Sequence, residues 1–128
     1  MKLLLDTHTF IWLDSDPIRL SDKVKSLLQD PANTLLLSVV CIWEMQIKSQ
    51  LGKLQISASL ADIISSQQQA NGIEILPVIL SHVLALESIL PHHKDPFDRL
   101  LVAQAIIEDA TLLSKDSIFG SYPVKVIW

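Results

Sequence analysis

Positive charge is scarce in this chain. Ten lysines and arginines stand against 14 aspartates and glutamates in 128 residues, a formal net charge of −4. That balance excludes a protein that grips nucleic acid through a broad basic surface, although it leaves room for a site that recruits its own cations. Cysteine is nearly absent: Cys41 alone cannot form an internal disulfide, which removes the disulfide-stapled secreted domains, and its apolar setting marks it as a small core residue. The three glycines, Gly52, Gly72 and Gly120, stand far apart, so no glycine-rich phosphate loop or dinucleotide fingerprint exists. No long hydrophobic run exists either. The longest nearly apolar stretch, Leu35 to Trp43, is too short to span a membrane. Met1 to Leu5 imitates a leader, but Asp6 interrupts it and no small-residue cleavage site follows, so the chain reads as soluble and cytoplasmic.

What is present is apolar. Hydrophobic residues make up 49% of the chain, and a domain of this length buries roughly two-thirds of its unfolded surface, enough for a genuine core. The length fits one domain, residues 1–128, without linker or repeat. Short, continuously apolar runs predict buried strands at Lys2–Leu5, Thr34–Leu37, Ile73–Leu76 and Ala110–Leu113, with an edge strand over Val124–Ile127. Between them lie helical segments with recognisable ends. Ser21, Ser38 and Ser59 are placed to cap helices, a further helix is expected over Ser81–Leu90, Asp95-Pro96 forms an N-cap and first turn, and Gly52 and Gly72 close two helices. One helix carries Val40, Trp43, Ile47 and Leu51 as its apolar stripe, and Trp12 sits on another. Gln67-Gln68-Gln69 and His82 read as solvated helix positions, and Leu54–Ile56 as an extended piece. Apolar strands alternating with helices predict a three-layer α/β/α domain around a central, mainly parallel sheet of four to five strands.

In such sheets ligands bind beyond the carboxyl ends of the strands. Asp6 ends the first strand, Asp116 follows the fourth, Glu44 lies early in the helix after the second, and Asp98 early in the helix before the fourth. Each has a plain structural explanation: a turn for Asp6 and Asp116, an i,i+4 pair with Lys48 for Glu44, a helix start for Asp98. Asp95 is fully explained as a cap. The functional case rests on coincidence of four acids at one rim. Oxygen-only ligation, without His or Cys spacing, is the chemistry of Mg²⁺ or Mn²⁺ rather than zinc. Lys48, Lys94, Arg99 and Lys115 each fall within four residues of a proposed ligand, where they can contact phosphates or form surface pairs. His8, His92 and His93 lie near the same rim.

Several segments together are similar to one family. Leu4-Leu5-Asp6-Thr7-His8, Leu37-Ser38 with Ile42-Trp43-Glu44, Leu51-Gly52-Lys53-Leu54, His92 to Leu101, Ala103-Gln104-Ala105 and Leu113-Ser114-Lys115-Asp116 follow in order. The set resembles the PIN-domain ribonucleases, specifically the VapC-like toxins of type II toxin–antitoxin pairs, over nearly the whole chain. The resemblance implies a Mg²⁺- or Mn²⁺-dependent endoribonuclease using one or two ions, with Asp6, Glu44, Asp98 and Asp116 as its acidic quartet and Thr7 in support. It also implies RNA as substrate, a cognate antitoxin as partner and a homodimer. Ser114 stands where threonine is usual. The alternatives are a catalytically silent PIN-like interaction module and an aspartyl-phosphate phosphohydrolase. His8 stands where the commonest such phosphatases need a second aspartate.

Overall fold

A computed structural model describes residues 1–89 and 95–128. Five strands form one sheet: β1 (Lys2–Leu5), β2 (Thr34–Ser38), β3 (Glu74–Leu76), β4 (Thr111–Leu113) and β5 (Val126–Ile127). Their order is β3-β2-β1-β4-β5 and every pairing is parallel. Leu3, Leu4 and Leu5 of β1 are completely buried, as a central strand covered on both faces requires. Each such leucine contributes roughly 1.5–3 kcal/mol of burial. Helices α1 (Thr7–Ser15), α2 (Asp22–Gln29), α3 (Val39–Gln50), α4 (Leu60–Asn71), α5 (Leu80–Leu84) and α6 (Pro96–Ile107) flank the sheet, giving the expected three-layer α/β architecture.

The helix ends follow local chemistry. Ser21 and Ser59 accept the amides of Val24 and Asp62, and Ser38 accepts that of Val40. Asp95 accepts the amides of Phe97 and Asp98 ahead of Pro96. Gly72 ends α4 in the left-handed region, at φ 66°.

Four readings of the sequence are corrected. His82 is buried rather than solvated, held at one nitrogen by the Ile79 amide (3.1 Å) and at the other by Glu108 (2.9 Å). Gln67 is buried too, bonded to Asp14 and Asn71, while Gln68 and Gln69 are exposed. On α3 the buried residues are Val40, Cys41 and Met45, whereas Trp43 and Leu51 face solvent. Trp43 finds Phe97 edge-on at 5.0 Å instead. The helix expected to begin at Ser81 begins at Leu80, with Ile79 at its N-cap. Position 90, where that helix was expected to end, lies outside the described residues.

The order of strands sets the location of the site. The chain builds β1, β2 and β3 outward in one direction, then crosses to lay β4 and β5 on the other side of β1. The carboxyl ends of β1 and β4 therefore flank the point where the winding reverses, the usual ligand crevice of an open α/β sheet.

Candidate active site: a carboxylate cleft at the strand ends

The register pairs Leu5 with Leu113, so the next residues, Asp6 and Ser114, leave the sheet side by side. Asp6 is the N-cap of α1: its Oδ1 accepts the Thr9 amide at 2.8 Å. Its Oδ2 accepts the Ser114 hydroxyl at 2.5 Å. The Ser114 oxygen in turn accepts the Asp116 amide at 3.0 Å, and Asp116 Oδ1 caps the following turn at Ile118. One buried serine thus ties the two strand-end aspartates together.

Glu44 reaches the same place from α3. Thr7 donates its hydroxyl to Glu44 Oε1 at 2.5 Å, and Lys48 Nζ lies 3.2 Å from Oε2. Asp98 arrives from the first turn of α6, positioned by the Asp95 cap. The outcome is one cleft of about 230 Å³ whose lining includes Asp6, Glu44, Asp95, Asp98 and Asp116, with Thr7, His8 and Lys48 among the others. Residues from four separate stretches of chain converge there.

Cys41 records this convergence. Burial first pushes its thiol up; a hydrogen bond involving Thr7 opposes the shift, and the negative charges of Asp6, Glu44 and Asp98 add to it. The thiol ends at about 12, so in the metal-free protein it is neutral. The ionised donors in the cleft are therefore oxygens, which suits a hard divalent cation. Among the described residues, no three carboxylate, imidazole or thiol groups already stand in an arrangement that could hold a metal ion. Both oxygens of Glu44 are engaged within the protein.

Comparison with known proteins decides the family. The PIN domain family matches residues 3–125. The chain belongs to the PIN domain family. Its PIN domain is similar to "Ribonuclease VapC22" of Mycobacterium tuberculosis (strain ATCC 25618 / H37Rv), 26% identical over 121 residues that cover 94% of this chain and 91% of the relative. In fold it is similar to a chain of VapBC2 from Rickettsia felis bound to a DNA fragment from their promoter, with TM-score 0.73, 17% identity, and coverage of 99% and 98% of the two chains. A chain of DNA-bound VapBC from Salmonella typhimurium matches with TM-score 0.69 and 11% identity, covering 99% and 97%.

Within this PIN domain, the four acids singled out in the sequence line one cleft, as does Thr7. Lys48 lines it as well, already paired with Glu44. Lys115 lies beside it, in an adjoining cavity. Arg99 lines neither; its guanidinium reaches back to the Ile89 carbonyl at 3.4 Å. Lys94, His92 and His93 lie outside the described residues. Sequence reasoning treated Ser114 only as a departure from threonine and missed its role as the joint between Asp6 and Asp116. The available signal was its place directly after a strand that pairs with β1. Asp95 was read as a cap alone, yet it also lines the cleft.

Among the described residues, no helix is long and apolar enough to cross a membrane.

Proposed function

We propose that this PIN domain is an endoribonuclease dependent on Mg²⁺ or Mn²⁺, the toxin of a type II toxin–antitoxin pair, with residues 1–128 acting as a single nuclease domain. The observation that carries the reading is the gathering of Asp6, Glu44, Asp98 and Asp116 at the winding reversal between β1 and β4. The similarity to a protein named as a ribonuclease supports the choice of reaction. Asp6 and Asp98 would be the principal anchors of one or two ions, directly or through water, with Glu44 and Asp116 completing the set. A bound divalent cation supplies Lewis acidity to the attacking water and to the phosphodiester.

The chain's own groups position these parts. Ser114 and the Thr9 amide fix the Asp6 carboxylate, Thr7 fixes Glu44, and the Asp95 cap fixes the start of α6 beneath Asp98. Lys48 and Lys115 are the cations placed to meet phosphates at the rim. In-line attack of water on phosphorus breaks the P–O3′ bond, leaving a 3′-hydroxyl and a 5′-phosphate.

The partner reading rests on the solved relatives, which are VapBC complexes. A cognate antitoxin holds the toxin inactive. The homodimer has a face suited to it: Ile79, Leu80, Val83 and Leu84, on and just before α5, are exposed beside Ile106 and Ile107 of α6, which packs on α5.

The test is incubation of chelator-stripped protein with cellular RNA, with and without Mg²⁺ or Mn²⁺, followed by mapping of the cut ends. Cuts that appear only with metal and carry 5′-phosphates support the reading. Absence of metal-dependent cleavage on any RNA would replace it with a silent PIN-like interaction module.

A further inference from the structure

Beside the carboxylate cleft lies a second cavity, also about 230 Å³, lined by Asp6, His8, Trp12, Lys115 and Asp116. Asp6, His8 and Asp116 line the first cavity too, so the two share a wall. His8 and Trp12 are one turn apart on α1, and their rings stack with centroids 5.7 Å apart at 29°. Trp12 is half-buried; Trp128 meets it edge-on at 5.6 Å and the Arg19 guanidinium lies 5.7 Å from its ring centre. His8 is exposed, and among the described residues no hydrogen bond holds its side chain. The stack is therefore anchored at its inner end and terminates in solvent at His8, on the border between the two cavities.

We propose that His8, backed by Trp12, is the base-binding subsite of the RNA substrate: an unpaired nucleobase next to the scissile phosphate stacks on the imidazole. This rests on the ribonuclease reading above. A single strand alternates base and phosphate, and the two adjoining cavities alternate in the same way: an aromatic shelf with Lys115, then the carboxylates. The energetics demand such a shelf. A chain of net charge −4 with an acidic cleft draws little affinity from phosphate attraction. Stacking on an aromatic ring supplies binding without ionic contacts and accepts every base. It also selects unpaired RNA, because the bases of an A-form duplex are already stacked on one another.

The experiment uses a short single-stranded oligoribonucleotide containing one cut site mapped with the wild-type protein. His8→Ala is expected to raise KM roughly 10-fold, the order of one lost stacking contact, while kcat stays within about threefold. His8→Tyr restores the wild-type KM. An abasic nucleotide beside the cut raises the wild-type KM by a similar factor and adds nothing further to His8→Ala. Binding is also read without turnover, in chelator, by quenching of tryptophan fluorescence; His8→Ala weakens it by the same roughly 10-fold factor.

An unchanged KM in His8→Ala, or an abasic penalty equally large in wild type and variant, overturns the subsite. So does a His8→Ala protein with unaltered RNA kinetics but a weakened hold on an antitoxin, which would make the stack a protein contact. The two levels of the argument separate cleanly. A wild type that binds the oligonucleotide through His8 but never cuts it overturns the nuclease reading alone. A wild type that cuts, with His8→Ala unaffected, overturns the subsite alone.

Discussion

Ser114 donates its hydroxyl to Asp6 across the β1–β4 boundary while accepting the amide of Asp116, so a single side chain sets the spacing of two cleft carboxylates. Ser114 is buried, and Ser114→Ala leaves a buried carboxylate short of one donor. Hydrogen bonds to charged groups are worth about 1.5–3 kcal/mol. Ser114→Ala is expected to lose stability on that scale in urea unfolding and to lose cleavage rate roughly 10-fold through misplaced carboxylates. Ser114→Thr keeps the hydroxyl and retains both. Equal losses in the two variants would show that shape, not the hydrogen bond, matters at this position.

Lys48 occupies one oxygen of Glu44, where an incoming divalent cation would compete with it. The pair is partly exposed, so its contribution to stability is under about 1 kcal/mol. Lys48→Met is therefore expected to leave the melting temperature nearly unchanged and to tighten Mn²⁺ binding at least about threefold, because a repelling cation is gone. Titration calorimetry of the RNA-free protein reads this directly. Unchanged or weaker Mn²⁺ affinity would remove Glu44 from the metal set.

Cys41 sits against the cleft with its thiol pushed up to about 12, first by burial and further by Asp6, Glu44 and Asp98. It stays neutral through the mildly alkaline range, and only the thiolate is nucleophilic. Iodoacetamide at about pH 8, below the ordinary thiol pKa, is expected to leave the folded protein unlabelled and to label it on unfolding. Rapid native labelling, read by mass spectrometry, would contradict the burial of Cys41 beneath the cleft.

The acid limb of stability is expected to involve Glu108. The His82 hydrogen bond, chiefly, holds its carboxyl below the ordinary range; burial opposes this, and Lys2, 3.7 Å away, assists. A lowered folded-state pKa means stability that is complete above the unfolded carboxylate range and lost as pH falls through the folded value. Between about pH 6 and about pH 3, the melting temperature of Glu108→Gln is expected to fall less steeply than that of the wild type. Parallel curves would assign the acid limb to other groups.

Local chemistry made much of this fold legible. Leu3-Leu4-Leu5 and Leu35-Leu36-Leu37 are short runs apolar on both faces, as a covered parallel strand requires, and Ser21, Ser38, Ser59 and Asp95 cap as their spacing implies. What escaped depends on partners distant in sequence. His82 is buried because Glu108 and Gln104, more than 20 residues away, supply polar contacts. Trp43 is exposed because Phe97, brought by a different helix, offers an edge contact. The four acids were legible as residues near one rim. The engagement of Glu44 by Thr7, and of Asp6 by Ser114, was not, since strand order alone brings those groups together.

The central claim is that Asp6 and Asp98 anchor the ion on which RNA cleavage depends. Its most direct measurement is kcat/KM for metal-dependent cleavage by Asp6→Asn, Asp98→Asn and the double variant, each shown to be folded by circular dichroism. Each single variant is expected to lose at least about 10²-fold in rate, the scale of removing a principal electrostatic group from the transition state. A folded double variant that still cleaves RNA at a near wild-type rate would contradict the account.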